Sequence, residues 1–454
     1  EIVKKAQLKI YNNKSDKYHR LNCKYGQMAH DAVILPKNQI PKTAKACKFC
    51  ENVIKKTKQP KKEDKNTQEK AIIKKITSQS FKISQGNIKL FLTDLTTNLT
   101  PHKRCTTDFC TTLVKQINSA NSSIDMALYG YTDVVDVTNA INHAIQRGVS
   151  VRLVYDVNAQ NSNFYPDTFE LAKLIPDSKA DYGDSQYQSS IMHNKFFIFD
   201  KKTVLTGSAN ISFTDLSGFN SNAIVLINSP EIAQIYEKEF EQMYNNKFHN
   251  KKSKISNKEN ILLGDSIVSV YFSPTDRIIT EKIIPLINNA HKYIYIPAFV
   301  ITHKRFTQAL INAKERGVEI HVILDATNAR NQHTTHELLR KNHILVKTEN
   351  YAGKMHAKSM IIDDNYLVIG SMNFSKSGEN KNDENVLIIE NPYLTKYYKD
   401  FFNYLWKKIP DTWLTKNAAS ESHDSLGSCF DGIDNDFDGK TDSADTGCMP
   451  TKSH

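Results

Sequence analysis

The chain has 454 residues, enough to bury more than one hydrophobic core, which argues against a single small domain. Its 60 lysines and arginines outnumber its 49 aspartates and glutamates, and this balance favours a polyanionic partner, either nucleic acid or an anionic lipid surface. No apolar run approaches the roughly 20 residues of a membrane-spanning helix, so we expect no transmembrane segment.

Residues 1–52 are predicted to form a small cysteine-containing module. His19 and Cys23, followed by Cys47 and Cys50, supply one imidazole and three thiolates. Four such ligands match a closed, structural tetrahedral zinc site, which would stabilise the module rather than catalyse a reaction. The alternative is a disulfide among the three cysteines, with His19 uninvolved. Residues 53–85 are rich in lysine and are predicted to be a basic linker, or alternatively an arm that contacts nucleic acid.

From residue 86 onwards, a strand–helix pattern occurs twice, over residues 86–253 and 254–415. In each copy an amphipathic helix closes with Arg-Gly-Val, and the strand that follows ends in Asp156 or Asp325, at a constant offset of 169. Glycine after the last helical turn is typical of a C-cap, and valine then begins a buried strand. The duplication therefore predicts an α/β fold in which two pseudo-twofold-related halves form one catalytic unit.

Each half contains a His-x-Lys-x4-Asp motif within an apolar run. The first comprises His193, Lys195 and Asp200, and the second repeats it with the same spacing, 163 residues later. Residues two apart on a strand point to the same face, so histidine and lysine should project together. The acid lies seven residues beyond the histidine, an odd offset, so we expect it to have a structural role. A single His-x-Lys would be unremarkable on a strand, but two matching copies indicate a site. The second motif comprises His356, Lys358 and Asp363.

A Gly-Ser-x-Asn turn follows each motif and contributes Ser208 and Asn210 in the first half, Ser371 and Asn373 in the second. Brought together by the pseudo-twofold, two histidines, two lysines, two serines and two asparagines would surround one small anionic group. Lysine and amide donors suit the non-bridging oxygens of a phosphodiester, where charge builds in the transition state.

This doubled motif resembles that of the phospholipase D superfamily, which includes phospholipases, phosphatidyltransferases such as cardiolipin synthases, and bacterial endonucleases. The resemblance covers about residues 86 to 410. It implies that one histidine attacks phosphorus to give a phosphohistidine. The other histidine protonates the leaving oxygen and then activates water or an acceptor alcohol, and catalysis needs no metal.

The two halves differ after the second turn. With the offset of 163 carried forward without a gap, Glu384 aligns with Ser221, and the next position of the first half is Asn222. Members of the superfamily usually have an acid here that binds the histidine of the opposite half. The resemblance thus assigns Glu384 to His193 and leaves His356 with a neutral partner. A carboxylate partner suits a nucleophile. We therefore expect His193 to be the nucleophile and His356 the general acid.

Residues 416–454 are predicted to be a linker and a disulfide-closed tail. Acids occupy positions 1, 3, 5, 9 and 12 of an EF-hand-like calcium loop, with Gly439 at position 6. The pattern resembles short calcium-binding repeats of exported bacterial proteins; an acidic solvated tail is the alternative. Two disulfides are expected, Cys105–Cys110 and Cys429–Cys448. The five loop acids are Asp434, Asp436, Asp438, Asp442 and Asp445.

The leading functional interpretation is an exported endonuclease, secreted, periplasmic or at the cell surface, that acts on DNA rather than RNA. The basic composition, the lysine-rich linker and the N-terminal module favour it, because that module resembles the Ada-like zinc modules found beside bacterial nucleases. The paired cysteines suit a disulfide-permissive compartment. The alternative is a phospholipase D or a phosphatidyltransferase acting on phospholipid. Zinc and calcium would be structural only, and a monomer is the default because both motifs lie in one chain.

Overall fold

In the computed structural model, the described residues are 81–158, 160–182 and 190–449, together with four short N-terminal strands. The chain forms two compact units, residues 1–77 and 78–454. The strands of the first unit form one sheet in the order β3-β1-β2-β4, in which β1 pairs antiparallel with β2 and β3. Their bounds are Leu8–Asn12 (β1), Lys17–Arg20 (β2), Ala32–Pro36 (β3) and Lys45–Ala46 (β4).

The predicted zinc ligands fall mostly outside this description. His19 lies on β2, whereas Cys23, Cys47 and Cys50 lie outside the described residues. The zinc site therefore stays a prediction.

The first half of the larger unit is one eight-stranded mixed sheet with five helices. The sheet order is β5-β6-β12-β11-β10-β7-β8-β9, with β7, β8 and β9 parallel. The strands are Phe81–Gln85 (β5), Ile88–Leu92 (β6), Ser123–Leu128 (β7), Ser150–Asp156 (β8), Ser178–Asp181 (β9), Lys195–Phe199 (β10), Thr203–Gly207 (β11) and Ala223–Asn228 (β12). The helices are Asp108–Ser119 (α1), Val135–Gln146 (α2), Thr168–Leu174 (α3), Phe213–Leu216 (α4) and Pro230–Tyr244 (α5).

The second half repeats this topology. Its sheet order is β13-β14-β20-β19-β18-β15-β16-β17, the same sequence of neighbours as in the first half, so the prediction of two α/β halves is confirmed. The strands are Ile261–Leu263 (β13), Ser266–Ser273 (β14), Tyr293–Ala298 (β15), Glu319–Leu324 (β16), Leu345–Thr348 (β17), Ser359–Ile362 (β18), Tyr366–Gly370 (β19) and Glu384–Glu390 (β20). The helices are Ile284–Asn288 (α6), Lys304–Glu315 (α7), Ala326–Ala329 (α8), His336–Lys341 (α9), Lys376–Asn380 (α10) and Pro392–Lys408 (α11).

Local sequence explains where the helices begin and which face they bury. Helices α5 and α11 start at equivalent places because Ser229 and Asn391 cap them, each followed by proline at the first helical position. Helix α1 buries Phe109, Leu113 and Ile117, which are spaced four apart and so form one face. Burying each such side chain stabilises the folded state by about 1.5–3 kcal/mol. Each half has one cluster of buried apolar side chains.

Two predicted boundaries are wrong. Residues Phe81–Gln85, placed in the linker, form strand β5, because the tight turn at Gly86 lets this segment pair with β6. Residues 416–428 are likewise no linker: Leu426 forms a bridge with Tyr351, and Arg340 donates hydrogen bonds to the Lys416 carbonyl and Asn417. The tail thus packs on the second half.

Both expected disulfides, Cys105–Cys110 and Cys429–Cys448, are present. Within the described part of the chain, no helix combines the length and apolar character needed to cross a membrane.

Candidate active site

Each motif forms a backbone hydrogen bond with the opposite half of the duplicated fold. His193 precedes β10, and its backbone N–H donates to the Asp383 carbonyl at 2.9 Å. His356 lies three residues before β18, and its N–H donates to the Ser221 carbonyl at 2.9 Å. These reciprocal contacts bring the two histidines to one place between the halves.

The lysines and two aromatic residues repeat around the pseudo-twofold. The Lys195 Nζ lies 4.9 Å from the centre of the Tyr129 ring, and Lys358 Nζ lies 4.8 Å from that of Phe299. The same rings pack edge-on against the histidines, with Tyr129 4.8 Å from His193. Each lysine also donates to the carbonyl of its own histidine. The aromatic rings therefore fix the positions of both cationic side chains.

The Gly-Ser-x-Asn turns position the partners of the histidines. A Cβ on Gly370 would lie 2.2 Å from the Asn385 carbonyl oxygen, so only glycine lets β19 approach β20 this closely. Ser371 Oγ then donates to Glu384 Oε2 at 2.6 Å. In the first half, Ser208 Oγ donates to Asn222 Oδ1 at 2.8 Å. Both serines thus contact the residues that bind the histidines.

The alignment of the halves needs a one-residue gap that the sequence comparison lacked. Gly207 pairs with Ile224 and Gly370 with Val386, so the offset falls from 163 to 162 along the last strand. The structural counterpart of Glu384 is therefore Asn222, and the pairing with Ser221 is wrong. Ser221 instead donates its Oγ proton to the Thr93 carbonyl. The first half has one more residue between the turn and the strand, which composition and spacing did not reveal.

The two histidines have chemically different partners. His193 Nδ1 lies 2.8 Å from Glu384 Oε2, and the carboxylate is fully buried. His356 Nδ1 instead lies 3.1 Å from the amide oxygen of Asn222. Asn222 Nδ2 in turn donates to Asp215 Oδ1 at 2.9 Å, and this oxygen lies 3.7 Å from His356 Nδ1. The neutral partner of His356 is thus hydrogen-bonded to a buried acid.

Asp215 is held firmly in this position. Besides Asn222, it accepts hydrogen bonds from Asn220 Nδ2 at 2.8 Å and from the backbone N–H of Asn210 at 2.8 Å. Its side chain is fully buried on α4. A buried carboxylate is retained only when it is well hydrogen-bonded, and this one is.

Asn210 and Asn373 keep hydrogen-bonding capacity for a ligand. Asn210 Nδ2 donates to the hydroxyl of Tyr165 at 3.2 Å, but the buried Oδ1 atoms of both asparagines have no protein partner among the described residues. The Tyr165 ring lies where a Cβ on Gly130 would be, so that glycine is needed for the contact. Buried polar atoms of this kind usually bind water or ligand.

The site disfavours its own positive charges. Burial lowers the pKa of His193 to about 4 and that of Lys195 to about 7. Burial, with Lys358 and Lys195 close by, lowers the pKa of His356 well below its usual value. Burial would raise the pKa of Glu384, but His193 and Lys195 hold it below its usual value. A phosphodiester anion between these groups would stabilise their protonated forms.

The motif acids lie at the far ends of their strands. Asp200 accepts hydrogen bonds from the backbone N–H groups of residues 121–123, where β7 begins. Asp363 accepts hydrogen bonds from the backbone N–H groups of residues 291–293, where β15 begins. Each carboxylate thus fixes the entry to a central strand and is remote from the histidines.

The acids of the predicted calcium loop do not all converge. Oxygens of Asp436, Asp438 and Asp445 lie within 4.8 Å of one another, and Asp434 groups instead with Asp436 and Glu421. Asp442 accepts from the backbone N–H groups of residues 431 and 432. Calcium binding therefore stays a prediction, with Glu421 as a neighbour that the loop pattern did not include.

Sequence reasoning did not identify Asp215, Tyr129 or Phe299 as site residues. Asp215 has no acid at the corresponding place in the second half, so the duplication could not reveal it. Tyr129 and Phe299 follow matching strands β7 and β15, and this shared position was the available signal.

Comparison with known proteins agrees with this geometry. The family model described as "Cardiolipin synthase, PLD-like domain" matches residues 113–244 and 283–406, more than half of the chain. A phospholipase D from Rickettsia conorii is 35% identical over 158 residues, which cover 35% of this chain and 73% of that protein.

Two solved structures also match parts of the chain. Phosphatidylserine synthase from Haemophilus influenzae matches 75% of this chain and 91% of its own, with a TM-score of 0.54 and 15% identity. Nuc from Salmonella typhimurium, a phospholipase D family member, matches 32% of this chain and 97% of its own, with a TM-score of 0.30 and 26% identity. From the family match and the rickettsial relative we conclude that the chain belongs to the phospholipase D-like family.

Proposed function

We propose that the chain is a phosphodiesterase that hydrolyses nucleic acid, DNA rather than RNA, through a phosphohistidine on His193. The observation that carries this proposal is the asymmetry of the histidines. His193 Nδ1 lies 2.8 Å from the Glu384 carboxylate, whereas the nearest partner of His356 is an amide. The carboxylate stabilises positive charge on His193 as its other nitrogen bonds to phosphorus.

In the first step, His193 Nε2 attacks phosphorus and the bond to the leaving oxygen breaks. His356 donates its Nε2 proton to that oxygen, so the product leaves as an alcohol. Lys195 and Lys358 stabilise the negative charge that develops on the non-bridging oxygens. In the second step, His356 takes a proton from water, whose oxygen attacks phosphorus and releases His193.

Asp215 supports His356 as the general acid. A neutral amide alone would leave the imidazolium of His356 with little stabilisation, yet the proton must be present before transfer. The Asp215 carboxylate, 3.7 Å from His356 Nδ1 and hydrogen-bonded to Asn222, supplies the missing negative charge through the amide. We propose that Asp215 positions and polarises Asn222, and so supports protonated His356.

The choice of nucleic acid rests on charge. The formal net charge of +11 favours a polyanion, and phosphate contacts of that kind give sequence-tolerant, salt-dependent binding. The proposal includes an exported protein with structural zinc at His19, Cys23, Cys47 and Cys50, and structural calcium in the tail. The two disulfides are compatible with export.

Phospholipid is the second candidate substrate, and one observation favours it. Leu426, Phe430 and Met449 in the tail are exposed, Phe430 by 83%, and apolar side chains of this kind can insert into a lipid surface. The rickettsial relative is also named a phospholipase D.

The deciding experiment offers both substrates to the full chain in excess EDTA. Supercoiled plasmid and single-stranded DNA are compared with vesicles of phosphatidylcholine and cardiolipin, with His193→Ala in parallel. His143→Ala, a change at an exposed histidine on α2, is the matched control. We expect DNA cleavage in EDTA that His193→Ala abolishes and His143→Ala leaves intact. If folded protein hydrolyses the lipid but cleaves neither DNA, the nuclease proposal is wrong and phospholipid is the substrate.

A further inference from the structure

The tail packs beside the catalytic histidines. The Ala352 N–H donates to the Leu426 carbonyl at 2.9 Å, and the Leu426 N–H donates to the Asn350 carbonyl at 2.8 Å. Further along, Lys354 Nζ donates to the Asn435 carbonyl at 2.7 Å. Since Lys354 is two residues from His356, this part of the tail lies next to the second motif.

Phe437 in the tail loop also contacts an aromatic cluster of the first half. Its ring centre lies 5.8 Å from that of Phe164, edge to face. Phe164 packs 4.9 Å from Tyr165, which packs against Tyr129, the ring that contacts His193. A continuous series of aromatic contacts thus joins Phe437 to His193, while Lys354 joins it to His356. Phe437 is therefore connected to His193 through three intervening rings and to the second motif through Lys354.

The two phenylalanines remain largely exposed although they contact each other. Phe164 is 60% exposed and Phe437 53%. Two large aromatic rings at the edge of a polar site, still open to solvent, have faces available for stacking. The disulfide-closed loop holds Phe437 in place, with its backbone in the left-handed region at φ 64° and Asp434 accepting from the N–H groups of residues 438 and 439.

One cation, Lys354, lies beside the Phe437 ring. Lys354 Nζ lies 4.5 Å from the centre of the Phe437 ring, and its hydrogen bonds go to neutral oxygens of Thr327 and Asn435. An aromatic platform beside a cation is the arrangement with which proteins bind single-stranded nucleic acid, because a base stacks while its phosphate is attracted to the ammonium. In double-stranded DNA the faces of the bases are stacked on one another, so they are not available to such a platform.

We propose that Phe164 and Phe437 form a stacking platform for an unpaired nucleobase next to the scissile phosphate, with Lys354 contacting a neighbouring phosphate. This inference rests on the proposed nuclease function and specifies it: the preferred substrate is single-stranded. The tail thereby contributes part of the substrate-binding surface, although it lies outside the duplicated fold.

The test compares Phe437→Ala and Phe164→Ala with Phe430→Ala, which removes a more exposed phenylalanine from the same tail as Phe437. Cleavage of single-stranded DNA is measured beside hydrolysis of bis(p-nitrophenyl) phosphate, a small diester that is too short to reach the platform. Stacking of about 1–3 kcal/mol per base predicts a 5- to 150-fold rise in KM for DNA in the two platform variants. The small diester should be hydrolysed at the wild-type kcat/KM by all three, and Phe430→Ala should behave as wild type.

Three outcomes would overturn the proposal. Unchanged KM for DNA in both platform variants would reject the platform while leaving the nuclease function intact. A similar loss in Phe430→Ala would mean that the tail acts only through its stability. Hydrolysis of the small diester without cleavage of any DNA by the wild type would reject the nuclease function, and the platform with it.

Discussion

At the scale of single residues, the two histidines of this site differ in the residue that contacts their Nδ1 atom. One imidazole contacts a buried carboxylate directly, and the other contacts Asn222, with Asp215 behind it. Opposite charge within about 4–6 Å of an imidazole raises its pKa, and the effect weakens with distance. The arrangement therefore assigns the more strongly supported positive charge to His193.

This asymmetry predicts a change in pH dependence. Asn222→Asp places a carboxylate directly against His356 Nδ1, which raises the pKa of the proposed acid. The basic limb of the kcat/KM profile should then move up by about one to three pH units. Asp215→Asn removes charge and should move the same limb to lower pH. Both shifts are read from initial rates on a small diester between pH 4 and 9.

Glu384→Gln is the comparison in the opposite half. It lowers the pKa of His193 and should move the acidic limb to lower pH instead. Movement of the acidic limb in Asn222→Asp and of the basic limb in Glu384→Gln would mean that the two histidines have exchanged roles.

At the scale of secondary-structure elements, buried ionic contacts join the two halves beneath the site. His249 follows α5; its Nε2 lies 2.7 Å from Asp181 Oδ2 at the end of β9, and its Nδ1 lies 3.0 Å from Asp383 Oδ2. Asp383 also pairs with Lys252 at 2.7 Å and directly precedes Glu384. This cluster therefore fixes the start of β20, on which the carboxylate partner of His193 lies.

The cluster predicts a loss of stability in alkali. Burial alone would lower the pKa of His249, but the two carboxylates raise it to about 10. A raised folded-state pKa contributes stability fully below the unfolded value near 6.5, and the contribution is lost as pH rises through 10. In urea titrations at pH 6 and pH 10, the free energy of unfolding of wild type should fall more than that of His249→Gln.

At pH 6, His249→Gln should itself lower the free energy of unfolding by about 3–5 kcal/mol, because it removes the buried cation that lies between Asp181 and Asp383. His143→Gln, on the exposed face of α2, should cost nothing measurable. Parallel pH dependence in wild type and His249→Gln would show that the imidazolium does not stabilise the fold.

The tail loop predicts a response to calcium. If Asp436, Asp438 and Asp445 bind the ion, calcium at 100 times its dissociation constant stabilises the native state by about 2.7 kcal/mol and raises Tm. Asp438→Asn should abolish the shift, whereas Asp400→Asn on α11 should retain it. An unchanged Tm of the wild type in millimolar calcium would leave the loop as a solvated acidic turn.

At the scale of the whole molecule, the duplicated pattern was sufficient to predict the two α/β halves. Strands β7 and β15 and both histidine motifs could be located because the same spacing occurs twice, and repetition makes chance agreement improbable. Asp215 could not be located this way, since it exists in one half only. The packing of the tail could not be predicted from the sequence either, because it depends on contacts such as that of Lys354 with Asn435, which are 81 residues apart in sequence.

The same limit explains the incorrect pairing of Glu384 with Ser221. A single inserted residue between Gly207 and β12 leaves composition and motif spacing unchanged, yet it moves the next residue onto the histidine. Strand register was needed to detect it, because one step along a strand exchanges the two faces.

Trapping the intermediate would show whether His193 becomes covalently bound to phosphorus. A p-nitrophenyl ester of thymidine 5′-phosphate has a leaving group that needs no proton, so His356→Ala should form the adduct but fail to hydrolyse it. We expect a stoichiometric burst of p-nitrophenolate and a nucleotide adduct that mass spectrometry of peptides locates on His193. His193→Ala should give neither. An adduct on His356 in the His193→Ala protein, with no burst from His356→Ala, would contradict the assignment.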